Sequence, residues 1–407
     1  MYKIEKIILM YKNEEVVSFV IDFNKNFFIE SISNLKKLEH FDKAPFGFHK
    51  DDDDKSIILR IVNFINRRSV AAQRNDYQDL LKYTGAKDYI ELSFKGHGLS
   101  LFDHYWYKRS GEDLRYEDIN FFENKWDDSF ARAVLSGNYE ALQNVSLNVP
   151  DVVTAGWGVK GWLCEEDGPK LYKIGIEKDH SEEAIGECLA SKLALRMFNK
   201  GESLEYILKK IYGKYASVSR PLINIDEELV PLVSIIPANL SSLYKNRFHD
   251  KAIMQKFFEE IDTLNIPGLK EYFIKIWCWR SLAFVSDLHL NNLSAIRNMK
   301  TGKIKPAPIF DFGGSFGSTK TGKSILSHIN TATYMIVYFS FGDIQPYWDY
   351  SWYKPHCLDG FEKEIREYLS LSSFYTPELI DNIIDVYNHQ KEALESFAIK
   401  NRKIIKR

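Results

Sequence analysis

The sequence predicts an α+β protein in three parts: an N-terminal α/β subdomain over residues 1–145, a small β-rich segment over 146–236, and a mostly helical segment over 237–407. Three observations predict it. Alternation of apolar and polar residues at Lys3 to Leu9 and at Glu15 to Asp22 reads as a pair of strands. A glycine-rich stretch, Asp151 to Gly175, reads as a hairpin and is followed by a helical pattern. The second half carries long helical patterns at Ile253 to Leu264, at Leu269 to Val285 and after Thr376.

In chain order, K-D-D-D-D-K at Lys50 to Lys55 has no apolar content and reads as an exposed loop, because like charges repel and gain from solvation. Ile57, Ile58, Ile61, Val62, Phe64 and Ile65 then repeat at helical spacing. Aromatics crowd the stretch from Gly98 to Phe130, enough to fill one small core. In the glycine-rich stretch, E-E-D-G is the turn and K-L-Y-K-I-G the return strand. Ile185, Leu189, Leu193 and Met197 lie four apart and mark one helix face over His180 to Lys200. Glu227 to Ile236 reads as an apolar strand interrupted by Pro231. The helix over Leu269 to Val285 is apolar nearly all round and is expected to be buried. The last helix opens on Thr376, Pro377 and Glu378, a cap, a first-turn proline and an acid, and runs to about Asn401.

The bulk properties exclude several function classes. Of 407 residues, 45% are hydrophobic and 27% charged, with 27 Phe, 23 Tyr and 8 Trp, which fits a large aromatic core and not a disordered chain. A net charge of −2 leaves no global field to draw in nucleic acid or an anionic membrane, so neither is expected as a partner. Cys164, Cys188, Cys278 and Cys357 form no C-x-x-C pair, which fits a reduced compartment better than a disulfide framework or a zinc site. The N-terminus is charged where a signal peptide needs an apolar core, and no apolar run approaches the roughly twenty residues that span a bilayer. A cytoplasmic protein is expected.

Two short strings carry the chemistry. S-D-L-H-L-N-N spans Ser286 to Asn292, and D-F-G-G begins at Asp311, nineteen residues past Asn292. Phosphoryl transfer from ATP needs a carboxylate to accept the proton of the acceptor hydroxyl, and an amide oxygen and a second carboxylate to hold magnesium. Asp287, Asn292 and Asp311 supply that set in order. Either string alone is common: Asp287 could cap a turn, Asn292 could form an Asx-turn, and Asp311 could end a strand. Their order and spacing make the signal. Upstream, Lys173 on the return strand is the candidate to reach the nucleotide phosphates, and Glu187 the candidate to pair with it. Glu183 stands one turn earlier on the same side; Glu187 is preferred because it lies amid apolar positions, where a carboxylate needs a partner. Gly156, Gly158 and Lys160 could form a loop over the phosphates.

One string competes. Gly317 to Ser324 reads G-S-T-K-T-G-K-S, a complete match to the G-x-x-x-x-G-K-S phosphate loop, after an apolar run read as a strand. Only 83 residues follow it, few for the parallel sheet and magnesium-binding Asp strand that such a loop serves. It also begins just after D-F-G, where a kinase has its activation segment.

D-L-H-L-N-N followed by I-F-D-F-G-G resembles the HipA-like serine/threonine kinases, whose catalytic segment runs D-x-H-x-x-N; Asp287, His289 and Asn292 match it position by position. Gly156-x-x-x-Lys160 is similar to the family's loop, and Glu187 with Leu193-Ala194 is similar to its nucleotide-pairing helix. The stretches near Ser100 and Asn120 resemble a branch found in Gram-positive bacteria and mobile elements. The resemblance covers most of the chain, though only the catalytic segments are specific. It implies a two-lobed kinase fold with a small β-rich N-lobe and a helical C-lobe, ATP and Mg2+ as cofactors, and a protein Ser or Thr as acceptor. It also implies Asp287 as base, Asn292 and Asp311 as metal ligands, Lys173 on the phosphates, and an antitoxin or regulator protein as partner. Two departures stand out. Where the family loop often carries a self-inhibitory Ser three residues before its first Gly, this chain has Val153, with Thr154 beside it. The loop's common Gln is also absent, with Val159 in its neighbourhood. The other readings are a small-molecule phosphotransferase of the aminoglycoside and choline kinase type, and a pseudokinase or binding scaffold.

Overall fold

The computed structural model describes residues 4–23, 29–175, 182–237, 251–285, 290, 292–319, 323, 352–354 and 356–405. The chain divides into two compact units, Met1–Lys173 with Ile223–Glu228, and Ile174–Leu222 with Leu229–Arg407. Each mixes strands and helices, the α+β class that the sequence predicts.

In the first unit, β1 (Ile4–Tyr11) and β2 (Glu14–Phe23) pair antiparallel, with Ile7 opposite Phe19, as the alternation predicts. They lie in a sheet of order β3-β2-β1-β4, with β3 at Ile29–Lys37 and β4 at Tyr105–Arg109. The register slips between Leu9 and Met10, so Val16 and Val17 are both buried, as a bulge allows. The aromatic stretch helps close one core: Trp106, Tyr116 and Phe121 pack with Leu99 and Leu101 and, from outside the stretch, with Met10 and Trp162. Helix α1 (Asp54–Arg67) buries Ile57, Ile61 and Ile65, three positions of the expected stripe. The acidic run at 50–55 is exposed as expected, apart from half-buried Asp52, and its end also starts this helix. Asp53 caps α1 by accepting the Ser56 N–H at 2.8 Å, and Asp52 takes Arg60 Nε at 2.9 Å. Lys37 donates to the carbonyls of Lys50 and Asp52 at 2.6 and 2.7 Å. The negative charge serves a helix N-terminus, where it is favourable. Short helices α2 (Tyr77–Thr84), α3 (Tyr89–Lys95), α4 (Tyr116–Ile119) and α5 (Ser129–Ser136) have too few turns to show a period in sequence. The hairpin of β5 (Val159–Glu165) and β6 (Gly168–Gly175) turns at Glu166 and Asp167, and Gly168 follows with φ +110°.

The second unit is built on α6 (Glu183–Met197). Its expected face of Ile185, Leu189, Leu193 and Met197 is buried, and so are Gly186, Glu187, Cys188 and Ser191. The hairpin of β7 (Ile207–Ile211) and β8 (Lys214–Ser219) turns on Tyr212 and Gly213, both at positive φ, the geometry that suits the twist of paired strands. Strand β9 (Glu227–Pro231) ends at its proline, and the helical turn α7 (Leu232–Ile235) follows. The apolar run to Ile236 is therefore a strand and then a turn, because proline cannot donate to a ladder. Further helices among the described residues are α8 (Lys251–Thr263), α9 (Leu269–Ala283), α10 (Phe361–Leu369) and α11 (Pro377–Ile405). Helix α9 is buried nearly all round, as expected. Strands β10 (Ser294–Asn298) and β11 (Ile304–Pro306) pair antiparallel. Thr376 caps α11, its hydroxyl accepting the Leu379 N–H at 3.2 Å.

Candidate active site

The glycine-rich loop belongs to the first unit. Gly156 has φ +107°, and a Cβ there would lie 2.2 Å from Lys160 Nζ. The ammonium of Lys160 folds back onto this loop and donates to the Ala155 carbonyl at 2.7 Å. Gly158 is buried, while its neighbour Trp157 is 62% exposed. The loop stands on a short 3-10 turn, Pro150–Val153. Thr154 Oγ1 donates to the Pro150 carbonyl at 2.8 Å and accepts Trp162 Nε1–H at 3.1 Å. Val153 is buried and carries no hydroxyl, and the Thr154 hydroxyl is committed to the loop's own frame. Asp151 Oδ1 accepts the Trp162 N–H at 2.9 Å, and burial pushes its carboxyl up to about 7. Lys173 lies in the buried second half of β6.

Glu187, Asn292 and Asp311 belong to the second unit. Glu187 is 1% exposed on α6. Its Oε1 accepts the N–H of Phe312, the middle residue of D-F-G, at 3.2 Å, and its Oε2 accepts the Ser217 hydroxyl from β8. Glu183 is half-buried in the first turn of α6. The chain approaches D-F-G beside residues 202 to 204. Ile309 donates to the Glu202 carbonyl and accepts the Leu204 N–H, each at 2.9 Å, in a parallel bridge opposite Ser203. Asp311 then turns into the left-handed region, at φ +57°, and its N–H donates to the Tyr206 hydroxyl at 3.1 Å. Phe312 is fully buried between the rings of Tyr206 and Trp279, at centroid distances of 5.2 and 4.8 Å. Asn292 is half-buried just before Leu293, whose carbonyl accepts the Leu232 N–H at 2.8 Å. Asp287 and His289 lie outside the described residues.

The segment after D-F-G packs on α6. Glu182 N–H donates to the Ser318 carbonyl at 2.9 Å, and Gly186 faces Ser315 and Ser318. No strand leads into Gly317: Ile309 forms an isolated bridge, and Ser315–Gly317 is a 3-10 turn. Lys323 Nζ donates to the Phe374 carbonyl at 3.3 Å and sits 4.5 Å from the centre of its ring. Gly322 and Ser324 lie outside the described residues. The strand-to-loop entry of a phosphate-binding loop is therefore replaced by a tight turn in which Phe316 is left-handed, at φ +49°.

The donor set suits magnesium in kind. Asp311 offers a carboxylate and Asn292 an amide oxygen, the hard oxygens magnesium takes alongside phosphate and water. Among the described residues, no three His, Cys, Asp or Glu gather as a metal cluster. Tyr206, Ser191 and Ser217 carry no sequence signal, since their roles depend on which chain segments meet.

No family model matches the sequence, and no curated protein matches it. Among solved structures, the chain is similar to the Helicobacter pylori proinflammatory kinase CtkA, at 14% identity and a TM-score of 0.42, over 60% of this chain and 92% of that one. It is also similar to HipA of Shewanella oneidensis MR-1, from a toxin–antitoxin complex with HipB and operator DNA. There the identity is 9% and the TM-score 0.47, over 97% of both chains. At TM-scores below 0.5, neither likeness bears on what this chain does.

Proposed function

We propose that the chain is an ATP-dependent kinase of HipA type that phosphorylates a Ser or Thr of a protein, as a toxin or a regulatory kinase with an antitoxin or regulator as partner. The observation that carries this reading is the bond from Phe312 N–H to Glu187. It ties the D-F-G backbone to the buried carboxylate of the helix that a kinase uses to organise its nucleotide site. In this reading Lys173, Gly156, Gly158 and Lys160 serve the phosphates, Asn292 and Asp311 hold magnesium, and His289 keeps its place in the D-x-H-x-x-N segment. Magnesium, when bound, neutralises phosphate charge. The Asp287 carboxylate accepts the proton of the acceptor hydroxyl. The reading assigns the glycine-rich hairpin and α6 to an N-lobe over residues 146–236, and the rest to a helical C-lobe. A reducing cytoplasm suits the four free thiols.

The test uses wild type and three variants. A hundredfold excess of Mg-ATP over its dissociation constant should stabilise the wild type by about 2.7 kcal/mol, and Lys173→Ala should lose most of that shift. Asp287→Asn should bind Mg-ATP almost normally yet transfer phosphate roughly a hundred- to ten-thousand-fold more slowly. Asp311→Asn should weaken Mg-ATP binding itself. Labelled ATP with a cell lysate, followed by phosphosite mapping, identifies the acceptor. Asp287→Asn and Asp311→Asn proteins that both label protein at the wild-type rate would sink the assignment.

A further inference from the structure

A parallel ladder has a fixed continuation. After Ile309 has bonded to Glu202 and Leu204, the next bonds would run from Asp311 N–H to the Leu204 carbonyl and from Tyr206 N–H to the Asp311 carbonyl. Neither position is used that way. The Leu204 carbonyl accepts the Ser191 hydroxyl from α6 at 3.0 Å, and the Tyr206 N–H donates to the same Ser191 Oγ at 3.0 Å. The Asp311 N–H goes instead to the Tyr206 side chain. The ladder is thus replaced by side-chain hydroxyls where Asp311 adopts its positive φ, a conformation uncommon for a residue other than glycine though better tolerated by Asp than by most. A backbone acceptor in ladder register would favour an extended Asp311, whereas a hydroxyl at the end of a tyrosine ring leaves the backbone free to turn.

We infer that Tyr206 is a positioning residue for Asp311. Its hydroxyl fixes the Asp311 backbone in the left-handed turn and so sets the carboxylate for its metal, while its ring braces Phe312. Ser191 holds Tyr206 in turn. The inference rests on the phosphotransfer reading, in which Asp311 is a metal ligand. Tyr206 would act as outer partners of ligating side chains do, fixing orientation without touching the ion.

Tyr206→Phe is the probe, since it keeps the ring on Phe312 and removes the acceptor of the Asp311 N–H. Binding of Mn2+ in the presence of a non-hydrolysable ATP analogue is followed by electron paramagnetic resonance. Tyr206→Phe should need on the order of tenfold more Mn2+ for half-saturation, the size of effect such outer partners have. Binding of the analogue without metal should stay at the wild-type level. In an Asp311→Asn background, Tyr206→Phe should shift the metal midpoint no further, which a general loss of packing would not reproduce. Should Tyr206→Phe fail to fold, Ser191→Ala decides, with a weaker shift in the same direction expected. An unchanged Mn2+ midpoint in the folded variant overturns the inference and leaves the kinase reading standing. A wild type that binds neither Mn2+ nor the analogue overturns both.

Discussion

Gly186 puts two physical terms in opposition. It lies inside α6, where helix propensity alone would favour alanine by about 1 kcal/mol. A Cβ there would sit 2.6 Å from the Ser315 carbonyl oxygen, 2.6 Å from Ser318 Cβ and 2.7 Å from Ser318 Oγ. Even a close C–H···O contact keeps carbon and oxygen roughly 3.3–3.6 Å apart, so the segment after D-F-G would have to retreat by about 0.7 Å or more. The nearest oxygen is backbone, which cannot swing away as a flexible side chain does. Overpacking of this kind costs roughly 1–3 kcal/mol. Packing therefore outweighs propensity, and Gly186→Ala should destabilise the second unit by about 1 kcal/mol. For a unit of roughly 150–250 residues this lowers the melting temperature by about 2–4 °C. Ser318→Gly in the same protein removes two of the three contacts, and Ser318 Oγ is buried with no hydrogen-bond partner to lose among the described residues, so the double variant should recover part of the loss. Thermal melting of both variants measures this. A Gly186→Ala protein as stable as the wild type would show that the segment yields freely and would refute the packing argument.

Two further outcomes follow from side chains at the margins of the site. Lys323→Ala should leave affinity for a fluorescent ATP analogue nearly intact, because Lys323 Nζ is engaged with the Phe374 carbonyl and ring. Abolished binding in that variant would instead establish a true phosphate loop at Gly317 to Ser324. Asp151 is fully buried, with Oδ1 on the Trp162 N–H and Oδ2 without a partner among the described residues, and burial outweighs that bond and the Arg74 charge to push it up to about 7. Between its ordinary value of 3.8 and about 7, the unfolded chain has released this proton and the folded chain has kept it. The contribution is complete below that window and is lost as pH rises through it, by on the order of 4 kcal/mol. Asp151→Asn keeps the acceptor for Trp162 and should flatten this decline in urea unfolding between pH 4 and 8, while an unchanged profile would exclude Asp151 as its source.

What was legible in the sequence is what short-range patterning encodes. The β1–β2 pairing, the Ile185-to-Met197 face, the buried helix over Leu269–Ala283 and the Thr376–Pro377 start of α11 each follow from periods and caps within a few turns of chain. The need of Glu187 for partners was legible for a related reason, since a carboxylate among apolar neighbours must be satisfied, but Phe312 and Ser217 were not foreseen. The acidic run at 50–55 is exposed as its charge implies, but charge composition did not show that α1 starts within it or that Asp53 caps that helix on Ser56. Pro231 was visible, yet only the structure shows the strand stopping there and a helical turn taking over. Phe312, one partner of Glu187, is 125 residues away, and the partner of the Asp311 N–H is 105 residues away. Such meetings depend on how α6, the 202–206 segment and D-F-G pack around Phe312. The sequence by itself determined which residue types stand in the order that phosphoryl transfer would call for, because that order is read from residue type and spacing. Tertiary structure alone decided what holds D-F-G in place, because the Tyr206 hydroxyl accepts the Asp311 N–H only once folding has brought two segments 105 residues apart together.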